Sequence, residues 1–290
     1  MAVLVCASLP AAADDSLHDR ALQVLHEVLD REQRWIKVHA AEGLLAAGER
    51  PAVTAVFDRE LASFGNEQPY RIGIWRVLAQ AARNEDAREP WVQRILAAFL
   101  DTEGPDRLHA SETLGKLDFR AHGDEVDAFE AAARPGRGPL AANARWVLAN
   151  SGRSQADVRL AELLASDDAA TRAAAAYAMR HVAKITPAAW GKLFGAAFKE
   201  PEGNIVRVSL TAAAFVHAPA DRKATYKTEL LKYARAGTDD AKFEACATLA
   251  MHGRDDDLPI LAPLLDEKNP DVRVGAAHAI LQIGRRVRGR

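Results

Sequence analysis

Residues 36–44, Ile-Lys-Val-His-Ala-Ala-Glu-Gly-Leu, set a pattern that recurs along the chain. An apolar and a basic residue are followed by two variable positions, two small residues, one variable position, a small residue and a leucine or similar side chain. Successive copies begin 31 to 36 residues apart, at 70–78, 106–114, 140–148, 171–179, 206–214, 241–249 and 272–280. A repeat of this period is the signature of a fold built from stacked similar units.

Each copy predicts one helix, because its apolar and small residues return every three to four positions. A second amphipathic stretch precedes many of the copies, and Gly or Pro turn signals separate the stretches. Examples are residues 51–63, 90–100, 155–165, 187–199 and 258–265. No alternating period-2 run interrupts the series, so the sequence predicts an all-α fold of about eight helical hairpins.

Hairpins of this length, with small pairs such as Ala40-Ala41 and Ala276-Ala277 in the second helix, resemble the HEAT repeat family and its shorter bacterial form. The resemblance covers roughly residues 17 to 284. It implies a right-handed α-α superhelix in which the second helices line a concave groove. One hairpin cannot bury its apolar face alone, so neighbouring hairpins stack into a continuous core. The family serves several unrelated functions, so the resemblance implies a fold and not an activity.

Composition argues against two kinds of partner. The chain has 290 residues, 49% hydrophobic and 27% charged, with a formal net charge of −2. Holding a nucleic-acid backbone needs a clear excess of Lys and Arg, so nucleic acid is not an expected partner. The basic position of the repeat, which is broken only by Ala141, is instead expected to pair with a nearby acid. No later stretch approaches the roughly 18 apolar residues of a membrane span, so membrane insertion is not expected.

The termini are expected to differ from the rest of the chain. Residues 1–13 contain an apolar run that ends in Ala11-Ala12-Ala13 before an acidic pair, and they resemble the end of a secretory signal. Residues 14–284 are expected to form one solenoid, and the basic residues of 285–290 a solvated tail. Cleavage after Ala13 would leave only Cys246, so the fold would stand without an intrachain disulfide.

Two positions of the repeated helix point away from its packed face, at 100° per residue. Polar and aromatic side chains fill these positions in the first part of the solenoid, residues 14–182, whereas residues 183–284 carry mostly small ones. A purely structural solenoid has no need of this asymmetry. The predicted site residues are His39, Glu42, Arg76, His109, Glu112, Asn143, Trp146 and Tyr177.

These side chains support two interpretations. In the first, Arg76 pairs with Glu42 or Glu112 on adjacent helices and only fixes the register of the repeats. Exposed pairs of this kind contribute about 0–1 kcal/mol each. In the second, the groove is a pocket for a small polar solute such as a sugar or sugar acid. Arg76 then donates two parallel hydrogen bonds to the solute, and Trp146 and Tyr177 provide faces on which a sugar ring can stack.

Metal binding and catalysis are two further alternatives. HEAT-like deoxyhypusine hydroxylases bind iron through His-Glu dipeptides just before the small pair. Here His39 stands where that family has its Glu, and Glu42 lies beyond the small pair, so no metal or other cofactor is predicted. His39, His109 and the carboxylates could transfer protons, as in a sugar isomerase. No nucleophile triad, P-loop, dinucleotide fingerprint or zinc spacing appears, so no reaction class follows.

A second resemblance concerns the cellular setting. Residues 35–42, 70–80 and 104–114 are similar to HEAT-type regions that accompany sodium–solute symporters in some bacteria. This resemblance implies an exported protein that acts beside a solute transporter. The expected function is therefore solute binding, with a periplasmic location, or a cytoplasmic one if the signal is not real. A protein-interaction scaffold without a small-molecule site is the rival function.

Export gives a direct prediction. Cleavage after Ala13 would leave Asp14 as the first residue of the mature chain, and intact-mass spectrometry of the native protein would detect it. Native protein that begins at Met1 or Ala2 would contradict the prediction.

Overall fold

The chain folds into paired helices. The computed structural model describes residues 11–288 and contains no strand within them. The all-α fold of stacked helical hairpins is therefore confirmed. The helices are α1 Ala11–Arg31, α2 Arg34–Ala47, α3 Arg50–Phe64, α4 Tyr70–Ala81, α5 Glu85–Leu100, α6 Arg107–Lys116, α7 Asp124–Ala133, α8 Pro139–Asn150, α9 Ala156–Glu162, α10 Ala169–His181, α11 Pro187–Ala196, α12 Ile205–His217, α13 Ala220–Ala236, α14 Asp239–His252, α15 Leu258–Leu261 and α16 Pro270–Arg288.

Side-chain caps fix where several helices begin. Asn84 accepts a hydrogen bond from the backbone N–H of Ala87 at 2.9 Å, so α5 begins at Glu85, five residues before the start predicted from Pro90. Thr186 and Thr238 cap α11 and α14 in the same way. Each cap satisfies one of the N–H groups that a first helical turn leaves unpaired.

The even-numbered helices form the inner layer, and the odd-numbered helices lie outside them. Each inner helix packs against the next along the chain, from α2 through α16. The last inner helix, α16, then packs against both α1 and α2. The helices therefore close into a ring, where the sequence predicted an open groove. Closure buries apolar surface on the first and last repeats, which an open solenoid would leave exposed.

Polar contacts also join the two ends of the chain. The side chains of Gln282 and Arg285 both donate to the carbonyl oxygen of Ala46, at 3.2 and 2.9 Å. Arg20 on α1 pairs with Asp266, just before α16. The basic tail predicted at 285–290 is thus corrected, because α16 continues through Arg288 and Arg285 binds the opposite end of the ring. Residues 1–10 and 289–290 lie outside the described residues, and with them most of the predicted leader.

The basic residue of the repeat pairs with an acid in five copies, as predicted, whereas Arg107 donates to the carbonyl oxygen of Phe99. Lys37 binds Glu60 at 3.0 Å, and Arg207 binds Glu229 at 3.3 Å; in both pairs the acid lies on the following outer helix. Arg71 pairs with the buried Asp106, which stands just before α6. These pairs fasten helices to one another on the packed side of the inner layer, away from the interior of the ring.

Candidate functional site

Two cavities occupy the interior of the ring. The larger, about 530 Å³, opens where the inner helices end, and we call it the C-side cavity. Its wall includes His39, Glu42, Gln80, Lys116, Trp146, Asn150, Arg180, His181 and His278. The N-side cavity, about 380 Å³, opens where the inner helices begin, and its wall includes His109, Glu112, Asn143, Ser209, Asp240 and Glu244. Tyr177 and Phe243 line both cavities.

The structure divides the predicted site residues between these cavities. His39, Glu42, Trp146 and Tyr177 line the C-side cavity. The N-side cavity is lined by His109, Glu112, Asn143 and again Tyr177. Arg76 lines neither of the two. The single pocket expected on one half of a groove is thus two cavities, and residues of both halves of the chain contribute to each.

Arg76 lies behind the cavity wall. Its side chain is only 3% exposed, with Nε 2.8 Å from Glu42 and Nη1 donating to Thr113 at 3.3 Å. The guanidinium also lies over the ring of Trp35. Glu42 therefore occupies the guanidinium nitrogens that a ligand was expected to contact. Through these contacts Arg76 joins α2, α4 and α6. The ion-pair interpretation describes Arg76 correctly, although the pair is buried rather than exposed.

Lys116 is a neighbour of this pair that the sequence prediction missed. Its ammonium lies 2.9 Å from Glu112, one helical turn earlier on α6, and 5.6 Å from the centre of the Tyr177 ring. Burial alone would raise the pKa of Glu112, but Lys116 and then Arg76 outweigh it and lower that pKa to about 2. The pKa of Glu42 is also lowered. Burial alone would raise it, but the charges of Arg76 and then Lys116 outweigh the effect of burial. Both carboxylates are ionised at neutral pH.

Arg180 and Glu244 form a second buried pair, on α10 and α14. Arg180 Nη1 lies 2.8 Å from a Glu244 carboxylate oxygen and 3.0 Å from the Thr248 hydroxyl. The other terminal nitrogen, Nη2, lies 3.1 Å from His181 Nε2. Burial, followed by the charges of Arg180 and Lys116, lowers the pKa of His181 well below its usual value. His181 is therefore neutral at pH 7.

The seam of the ring contributes a histidine–carboxylate pair. His39 Nδ1 lies 2.9 Å from Asp271 at the start of α16, and the imidazole packs on Phe243 with ring centres 5.1 Å apart. With Nδ1–H donating to Asp271, Nε2 is the remaining acceptor, and this arrangement suits proton transfer. Asp271 and Phe243 lie more than 200 residues from His39, and no local pattern in the sequence pointed to either of them.

Aromatic rings cluster beside these charges, but one of them is not available for stacking. Trp146 is 1% exposed, and its indole lies on Gly115, where an added Cβ would stand 2.5 Å from the ring. The ring also stacks on His181 at 5.2 Å, and its Nε1 has no hydrogen-bond partner among the described residues. The sugar-stacking role expected of Trp146 is therefore corrected. Tyr177 remains a candidate, because it lines both cavities.

Two further findings concern the described residues alone. Among residues 11–288, no group of three or more His, Cys, Asp or Glu side chains is arranged to hold a metal ion. Over the same residues, no helix has both the length and the apolar character that crossing a bilayer requires.

No protein-family model matches the chain, and no curated protein matches it. Among solved structures, the crystal structure of an engineered protein from the Northeast Structural Genomics Consortium is similar over 94% of this chain and 80% of that chain, at 17% sequence identity and a TM-score of 0.35. A likeness of that degree says nothing about function.

The Arg76–Glu42 pair generates a stability prediction. Arg76→Ala leaves a largely buried carboxylate without its counter-charge, so it should lower the free energy of unfolding by about 3 kcal/mol. Arg31→Ala, which removes a solvent-exposed partner of Glu27, should cost less than about 1 kcal/mol. Chemical denaturation of both variants measures the difference.

The double variant Glu42→Met/Arg76→Met provides the control for this prediction. It removes both charges and fills the space with apolar side chains, so most of the lost stability should return. An Arg76→Ala variant that is no less stable than Arg31→Ala would contradict the buried pair.

Proposed function

We propose that the protein binds a small polar solute inside the ring, in the C-side cavity. The observation that carries this proposal is a partly open cavity of about 530 Å³ whose wall combines aromatic faces with polar side chains from six inner helices. Binding sites for small molecules commonly have volumes of about 300–1,000 Å³ and a few convergent polar groups. The wall is built from rigid helices, which favours a pre-formed site.

Cavity size also separates this proposal from the scaffold alternative. An α-helix with its side chains is about 10–12 Å across, and the space at the centre of the ring is filled by Tyr177, Phe243 and their neighbours. A helical segment of a partner therefore does not fit the interior of the closed ring. A helical partner would have to bind the outer surface, which leaves the neutral polar groups of the interior without a role.

The enzymatic alternative rests on one feature, the His39–Asp271 pair beside the C-side cavity. The pair supports acid–base chemistry on a bound solute, but nothing in the cavity wall identifies a bond that would be made or broken. Solute binding needs no such step, and it is the function that the geometry supports best.

A thermal-shift screen of the full-length protein tests the proposal. The panel contains sugars, sugar acids, polyols, amino acids and divalent metal salts. A solute at 100 times its dissociation constant should add about 2.7 kcal/mol of stability, which raises Tm by roughly 5–10 °C for a chain of this size.

A cavity-filling variant makes the screen specific for the site. Ala247→Leu places a larger side chain into the wall of the C-side cavity and should abolish the shift. Ala97→Leu, at an exposed position on the outer helix α5, adds the same group and should leave the shift intact. Absence of any stabilising solute, or a shift that survives Ala247→Leu, would overturn the proposal.

A further inference from the structure

Every fixed charge near the C-side cavity already has a partner of opposite sign. Glu42 is paired with Arg76 at 2.8 Å, Lys116 with Glu112 at 2.9 Å, and Arg180 with Glu244 at 2.8 Å. Asp118, at the rim, pairs with Arg120 at 3.4 Å. An anionic ligand would have to displace one of these carboxylates, or lie beside it without a counter-charge in a partly enclosed cavity.

The groups that keep spare hydrogen-bonding capacity are neutral. The Tyr177 hydroxyl has no hydrogen-bond partner in the described part of the chain, and burial raises its pKa, so it remains protonated. Burial also lowers the pKa of His278, against the opposing effect of Glu42, so its imidazole is uncharged at pH 7. The Asn150 amide donates to the carbonyl oxygen of Gly115 at 3.2 Å, which leaves its own oxygen as an acceptor.

His181 has a defined tautomer because of its neighbour. A guanidinium can only donate, so the contact from Arg180 makes His181 Nε2 an acceptor. The neutral ring then carries its proton on Nδ1, as a donor without a partner among the residues described. Tyr177, His181, His278 and Asn150 thus offer donors and acceptors together, which is the combination that vicinal hydroxyl groups can satisfy.

The position of the cavity within the fold adds a third argument. It lies at the carboxyl ends of the inner helices, where Ala46, Gln80, Lys116, Asn150 and His181 belong to last turns. Helix carboxyl ends carry a partial negative charge and carbonyl groups without helical partners. Such an environment disfavours an anion and accepts hydrogen bonds from hydroxyl groups.

We infer that the C-side cavity selects a neutral polyhydroxylated solute, a monosaccharide or polyol, over the corresponding sugar acid. This inference rests on the proposed function and narrows the class of solute that it binds. The neutral hydrogen-bonding groups contact the hydroxyls, and the three internal ion pairs exclude a carboxylate.

Isothermal titration calorimetry with matched pairs of sugars tests the inference on the full-length protein. The pairs are glucose with glucuronate, galactose with galacturonate, and mannose with mannuronate, which differ only in the oxidation of one carbon. In any pair that binds, the neutral member should bind at least tenfold more tightly at pH 7, and its affinity should change little with salt.

A pair of tyrosine variants locates the contact. Tyr177→Phe removes a hydroxyl that lies at the cavity and should weaken the neutral sugar about tenfold. Tyr226→Phe removes a hydroxyl from a buried ring on the outer helix α13 and should leave the affinity unchanged.

The possible results distinguish the selectivity for a neutral solute from solute binding itself. A sugar acid that binds as tightly as its neutral partner, or more tightly, would overturn the selectivity while leaving solute binding in place. Equal affinities in Tyr177→Phe and the wild type would also overturn the inference, because the hydroxyl would then not contact the solute. If no member of any pair binds and the thermal-shift screen also finds no solute, solute binding itself fails.

Discussion

The packing of α16 against α1 and α2 is the interaction on which the rest of the structure depends. A stack of helical hairpins has two ends, and each end exposes an apolar face that must be capped. Here the two ends cap each other. Closure also turns the groove of an open solenoid into an enclosed interior. The contacts of His39 with Asp271 and Phe243, and thus part of the cavity wall, exist only because the ring is closed.

Enclosure in turn explains the ion pairs of the interior. Lys116 and Arg180 project from inner helices into the cavity wall, and Arg76 is buried behind it, where an unpaired charge would be costly. Each is matched by a carboxylate from the same or a nearby inner helix: Glu42, Glu112 or Glu244. The Glu42–Arg76 pair joins α2 to α4 and the Arg180–Glu244 pair joins α10 to α14, whereas Lys116 and Glu112 lie on one helix. All three pairs leave neutral groups to face a ligand. Structural and binding roles are thus divided between different side chains.

The sequence allowed the local structure to be predicted, but not the closure. The repeated pattern beginning at Ile36 predicts helix pairs, the small residues between them and the pairing of the basic residue with a nearby acid. Ring closure depends on small rotations between repeats, which add up over the whole chain and leave no signal in any one repeat. Asp271 therefore could not be connected with His39, and the sequence did not reveal that residues of both halves line the same cavities.

The wrong predictions at the site also arose because a pattern within one repeat does not reveal tertiary contacts. The rotation of 100° per residue correctly predicted that Glu42 and Glu112 lie on the inner face. It does not reveal whether a side chain reaches the cavity or lies behind its wall. Arg76 turned behind the wall because Glu42 and Thr113 accept its hydrogen bonds. Trp146 became buried because Gly115 lets the indole pack closely. Lys116, one turn after Glu112, was a partner that the spacing of four residues could have identified.

A distance measurement across the seam tests ring closure most directly. Spin labels at Asp19→Cys on α1 and Lys268→Cys before α16 occupy exposed positions at the two ends of the chain, in a background that lacks Cys6 and Cys246. Double electron–electron resonance should give one narrow distribution at short distance, since Arg20 and Asp266 are paired nearby. A broad distribution that extends to long distances would show an open solenoid and contradict the enclosed cavity.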